Sequence, residues 1–250
     1  MLKDIFIGIK AYAGAFELIS KLKLWRYFVI PIIISVVTAT AIGFSVYGFS
    51  DNIGQFIAKI WIWDWGKETF SLISEIFGGI LILALGLILY KHIIMALSAP
   101  FMSPVSEKIE AALYGVSHNH RNTSFQQQLW RGIRINVRNL WMELWLTLVI
   151  LLVSLVPIIG WFTSILLFVV QAYYAGFGNM DYTLERHFPY KESVSFVRKH
   201  RGIAIGNGIV FMLFLLIPVI GVILVLPLSV TAASTKTVTL LHEQNHLSNN

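Results

Sequence analysis

Four long stretches almost without charge dominate the sequence, at residues 27–49, 76–99, 144–178 and 203–235. Each is at least as long as the roughly 20 apolar residues a helix needs to cross a ~30 Å hydrocarbon core. In lipid every backbone N–H and C=O must be satisfied within the protein, so a spanning segment is a helix or part of a closed barrel. Barrel strands would read as alternating segments of about ten residues, whereas these runs are continuous. An all-α membrane protein follows. Composition agrees, with 56% hydrophobic and 13% charged residues, more apolar surface than the cores of a soluble chain could enclose.

The first twenty residues do not read as a cleavable signal. Lys3, Asp4, Lys10 and Glu17 interrupt them, and no short apolar core with a small-residue cleavage site follows. Ile5, Ile9, Tyr12, Phe16 and Ile19 instead recur at helical spacing. One amphipathic helix over 2–20 is expected, lying in the membrane interface or packed on a cytoplasmic part of the same chain. There is no cysteine, which excludes disulfides and thiolate metal sites.

Charge placement sets the expected topology. Lys3, Lys10, Lys21, Lys23 and Arg26 precede the first run. Lys91, Lys108, Arg121, Arg131, Arg134 and Arg138 lie around the segment between the second and third, and Arg186, Lys191, Arg198, Lys199 and Arg201 between the third and fourth. Residues 50–68 balance Lys59 and Lys67 against Asp51, Asp64 and Glu68. By the positive-inside rule the basic segments and both termini are cytoplasmic, 50–68 is outside, and Trp61, Trp63 and Trp65 anchor that outer face. The membrane accounts for the net charge of +6, and nucleic acid is not required.

Runs three and four would then enter and leave by the same face. Their centres repeat: Leu155-Val156-Pro157-Ile158-Ile159-Gly160 matches Leu216-Ile217-Pro218-Val219-Ile220-Gly221. Proline breaks a helix and glycine permits a reversal. From Glu143 to Pro157 an apolar helix reaches only about 20 Å at 1.5 Å per residue. The expected architecture is one integral membrane domain over 1–250. Transmembrane helices occupy 27–49 and 69–99, amphipathic cytoplasmic helices 104–143, and half-penetrating Pro-x-x-Gly hairpins 144–178 and 203–235. Two short full spans per run are the alternative. Paired interrupted segments of this kind point to solute sites in transporters.

The order of features resembles the CysZ family, bacterial inner-membrane proteins associated with sulfate uptake, from about residue 10 to 240. The resemblance is carried by Phe16-Glu17-Leu18-Ile19-Ser20 with Arg26 and Pro31, and by Ser98-Ala99-Pro100-Phe101 with Glu107, Glu110 and Gly115. Asp181-Tyr182, His187, Pro189 and Lys191-Glu192 complete it. It implies two transmembrane helices, two half-penetrating hairpins, and a sulfate site at a Pro-Gly-hydrophobic-Arg-Arg segment. Here Leu22-Lys23 replaces Pro-Gly, Trp25 replaces the first arginine and Arg26 keeps its place. The implied substrate-binding residues are Lys23, Leu24, Trp25 and Arg26, with backbone amides near Leu24.

Other polar residues have plainer readings. Arg26 serves equally as a lipid-phosphate anchor, and Lys91 as a snorkelling side chain. Arg131, Arg134 and Arg138 share one helix face, with Ile133, Val137, Leu140 and Leu144 opposite. They suit an inner-leaflet surface or, more sharply, an anion-gathering vestibule. Asp181, Glu185 and His187 read as a polar cytoplasmic turn rather than a metal site, and His118 and His120 as solvated. Gly206, Gly208, Gly78, Gly79 and Gly86 suit close helix packing. No catalytic constellation, nucleotide loop, metal or cofactor motif is present. The expected function is permeation of a small inorganic anion, sulfate by resemblance, through a homo-oligomer of the inner membrane. A bilayer-shaping scaffold is the alternative.

Overall fold

A computed structural model describes residues 1–58, 67–115, 123–154, 160–217 and 219–248. Trp61, Trp63, Trp65, His118, His120, Pro157 and Pro218 lie outside the described residues. The described chain is helical, without strands. Its helices are α1 (Leu2–Lys10), α2 (Ala15–Lys21), α3 (Trp25–Ala58), α4 (Lys67–Tyr114), α5 (Phe125–Ser154), α6 (Gly160–His187), α7 (Tyr190–Lys199), α8 (Arg201–Leu215) and α9 (Ile220–Ser248).

Local chemistry sets several of these boundaries. The single helix expected over 2–20 is two, because Gly14 takes a left-handed φ of 85° at the start of α2. Phe16 consequently turns outward and is exposed, while Ile19 is buried. Gly115, with φ 69°, ends α4, its N–H bonding Ala111 O at 2.9 Å. A reciprocal capping box opens α5, Ser124 N–H donating to Gln127 Oε1 and Gln127 N–H to Ser124 Oγ.

The amphipathic segment expected over 104–143 is not a separate unit. α4 continues through Pro100 and Pro104 for 48 residues, and the arginine-bearing stretch is the first half of the 30-residue α5. Among the described residues, four stretches are long and apolar enough to cross a membrane: Trp25–Ser45, Leu85–Tyr114, Phe125–Ser154 and Ile220–Gln244. Their outward faces carry the side chains a bilayer would cover. On α3 these include Val29, Ile33, Val37 and Phe44, and on α5 Trp141, Trp145, Leu148 and Leu152. The chain is an all-α membrane protein.

Glycines set the closest helix approaches. A Cβ on Gly176 of α6 would fall 1.8 Å from Ala204 O of α8, and one on Gly208 1.7 Å from Ala172 O of α6. On its other side α8 meets α1, where Gly206 faces Ile5 O and Gly8 faces Ile203 O. Gly86 packs on Ile42 of α3. These close packings are the role the sequence suggested for Gly206, Gly208 and Gly86.

Candidate functional site

The segment singled out by sequence joins α2 to α3. Lys23 N–H donates to Ser20 O at 3.1 Å and Leu24 N–H to Ile19 O at 2.8 Å, a Schellman cap on α2 with Lys23 left-handed at φ 52°. The Leu24 amide is therefore occupied and its side chain is buried. The backbone donors that remain in this corner belong to the first turn of α3, at Trp25 and Arg26. Trp25 packs edge-on against Phe16, with centroids 5.8 Å apart. Arg26 is exposed; its Nη2 donates to Tyr27 Oη at 3.0 Å and its guanidinium lies 4.8 Å from the Tyr27 ring centre. Lys108 Nζ approaches the other end of this corner, 5.9 Å from the same ring.

A second set of charges lies among the apolar helices. Lys91, read from sequence as snorkelling, is 0% exposed. Its ammonium donates to Glu143 Oε1 at 2.6 Å and to Gln171 O at 3.4 Å. The other carboxylate oxygen of Glu143, also a 0% exposed side chain, lies 3.1 Å from His92 Nε2. His92 Nδ1 is 3.4 Å from Asn136 Oδ1. This cluster joins α4, α5 and α6, and the Lys91 ammonium is held inside the bundle rather than extended to its surface. A fully desolvated pair survives only with such additional partners.

The arginine face of α5 also differs from its expected setting. The three arginines do share a face, and its partners are residues of α6 and α7. Arg131 pairs with Asp181 at 2.9 Å and donates to Phe188 O at 2.7 Å and Ser193 Oγ at 2.6 Å. Arg134 lies over the Tyr190 ring at 4.3 Å, and Arg138 over Phe177 at 5.5 Å. A cavity of about 560 Å³ opens here, lined by Trp130, Arg131, Arg134, Glu185 and Tyr190 among others. The polar residues 181–187, expected as a turn, are thus the last turns of α6 and one wall of a buried network. Glu110 of α4 accepts from Arg186, and His187 and His242 lie 3.2 and 3.6 Å away.

A further buried network supports α8. The Tyr12 hydroxyl donates to Asn207 O and lies 2.8 Å from Ser229 Oγ, and Asn179 Nδ2 donates to Asn207 Oδ1 at 2.8 Å. Burial pushes the Tyr12 ionisation well up, the Ser229 hydrogen bond offsetting part of it, so this hydroxyl stays neutral.

Sequence reasoning missed Glu143 as a partner, because Lys91 and Glu143 are 52 residues apart. One signal was available: a carboxylate at the start of a long apolar run is costly unless paired. The chain matches, over residues 11–226, the family described as EI24: Sulfate transporter CysZ/Etoposide-induced protein 2.4. No curated protein matches it.

Proposed function

Because the chain belongs to the sulfate transporter CysZ/etoposide-induced protein 2.4 family, which supports a membrane transport role, we propose that it carries a small inorganic anion, sulfate first among them, across the bacterial inner membrane. The observation that carries this reading is the buried Lys91–Glu143 pair with His92 beside it. Ionisable groups buried among apolar helices mark ion pathways in membrane proteins, whereas a scaffold needs no such buried charge.

In this reading both termini and the segments 102–140 and 180–202 are cytoplasmic, and α5–α6 and α8–α9 are hairpins entering from that side. Capture occurs at the membrane edge, where Arg26 and Lys23 supply charge and the Trp25 and Arg26 amides open at the start of α3. Trp25 shapes that corner and the buried Leu24 holds it in place. No nucleotide or coupling-ion site enters the scheme, so flux follows the anion's electrochemical gradient. The protein works as a homo-oligomer of at least two copies, whose neighbours shield the hairpin tips.

Purified protein in liposomes tests the reading, with labelled sulfate, selenate, chloride and phosphate as probes. Saturable sulfate uptake above empty vesicles is expected; none for any of the four anions overturns it. At the capture corner Arg26→Ala should weaken sulfate binding by about 1.5–3 kcal/mol, the range for hydrogen bonds to charged groups. Trp25→Arg should strengthen it. Unchanged affinity in Arg26→Ala, read by isothermal titration, would leave Arg26 as a lipid anchor.

A further inference from the structure

The inner face of α5 is polar along much of its length. Asn136, Asn139 and Glu143 are all buried, and their spacings of three and four put them on one face. Trp141, Trp145 and Leu148 point the other way and are exposed. Gly132, one turn before Asn136, approaches Ala96 and Ala99 of α4, and a Cβ on Gly178 of α6 would sit 3.5 Å from Asn136 Oδ1. The polar stripe therefore fills the seam where α4, α5 and α6 meet. At one end of the stripe stand Arg131 and Arg134, which line the cavity. At the other stands Lys91 with Glu143 and His92.

Buried polar atoms in this region lack a protein partner. Asn139 is 0% exposed; its Oδ1 accepts from Arg138 at 3.0 Å, but its Nδ2 has no partner. Ser98 Oγ on α4 is likewise buried without one. Buried polar atoms are nearly always hydrogen-bonded, and an orphan asks for a ligand or water.

We propose that the α4–α5–α6 seam is the anion's route, and that Lys91 is an internal station where Glu143 serves as resident counter-anion until a passing oxyanion displaces it. This rests on the transport reading above. Carboxylate oxygens and sulfate oxygens are both acceptors for the three ammonium protons, so a sulfate oxygen can take the place of Glu143 Oε1 at Lys91. Glu143 does not leave unpaired, since its second oxygen already faces His92 at 3.1 Å. Lys91 is never left bare, which is the arrangement a buried charge cannot tolerate. Asn139 offers a donor to the anion between cavity and station, and Arg131, committed to Asp181, marks the entrance without trapping it.

The experiment uses full-length protein in liposomes with labelled sulfate, and melting temperatures in detergent with and without sulfate. Lys91→Met/Glu143→Met removes the pair as a unit and should fold, since an apolar replacement of a buried pair is often neutral. Its sulfate flux should fall at least about tenfold, one factor of ten for each 1.4 kcal/mol lost at the station. Glu143→Gln leaves Lys91 without its carboxylate, so sulfate should raise the melting temperature of this variant more than that of the wild type. A folded double variant with wild-type flux would overturn the route while leaving transport intact. Equal sulfate stabilisation of Glu143→Gln and wild type would overturn the displacement. Absence of flux in the wild type would overturn the transport reading and the route together.

Discussion

Lys23 holds a left-handed backbone that an L side chain adopts at a cost of about 1–2 kcal/mol. The α2 cap needs that conformation, and the resembling family places glycine there. Lys23→Gly should therefore raise thermal stability in detergent, by up to about 1 kcal/mol once the looser unfolded chain is counted. The same change removes a cation from the capture corner, so sulfate affinity should fall as stability rises. Parallel melting and titration curves check both signs; a stability loss would mean the lysine side chain, not the backbone, holds the turn. This residue was visible in the sequence as a departure from a pattern, and its backbone was not, because φ depends on which carbonyls the amides at 23 and 24 find. Lys91 shows the opposite limit. Its charge was legible, but its partner lies on another helix, and local spacing carries no information about that.

At the scale of elements, α8 is the tightest point of the bundle. It has 15 residues, about 22 Å of helix, and it is wedged between α6 and α1 by backbone contacts that only glycine permits. Gly208→Ala would place a Cβ 1.7 Å from Ala172 O and should cost about 1–3 kcal/mol, as overpacking does. Gly43→Ala is the contrasting case: nothing lies within 4 Å of its Cβ position on α3, so a gain of about 0.5–1 kcal/mol is expected from helix propensity. Melting temperatures of the two variants should move in opposite directions. The apolar runs made the helices legible, and glycine content hinted at close packing. What the pattern concealed was continuity. The second apolar run was expected to end at 99, but α4 continues through Pro100 and Pro104, and the polar-to-apolar change near Glu143 suggested a boundary where α5 runs on.

For the whole molecule the governing observation is that Ser106 and Glu110 near the end of α4, and Arg131 of α5, are tied to residues 181–193. Arg131 bonds Asp181 and Ser193, and Glu110 bonds Arg186. Two segments read separately as cytoplasmic must then share one side, whichever side it is. Single cysteines at the exposed positions Gln126 and Ser195 should label together, and only after the inner membrane is opened to an impermeant thiol reagent. Asn52→Cys should label in intact cells. Labelling of Gln126→Cys and Ser195→Cys from opposite faces would contradict the ion-paired assembly, and labelling of both from outside would invert the proposed orientation. The basic residues announced this side through their number. Their pairing was hidden, since charge counting treats Arg131 and Asp181 as neighbours of water rather than of each other.

The docking of α1 on α8 carries a consequence for how the chain is made. Tyr12 and Asn207, which meet in the finished protein, are 195 residues apart. At ribosomal speeds of about 5–20 residues per second, α1 waits on the order of 10–40 s for its permanent partner. During that interval it is an amphipathic helix beside a bilayer, with Leu2 and Phe6 outward, and the bilayer surface is the natural place for it to rest. The packed helix still turns Leu2 and Phe6 outward, so docking on α8 and the interfacial position that the sequence suggests are compatible.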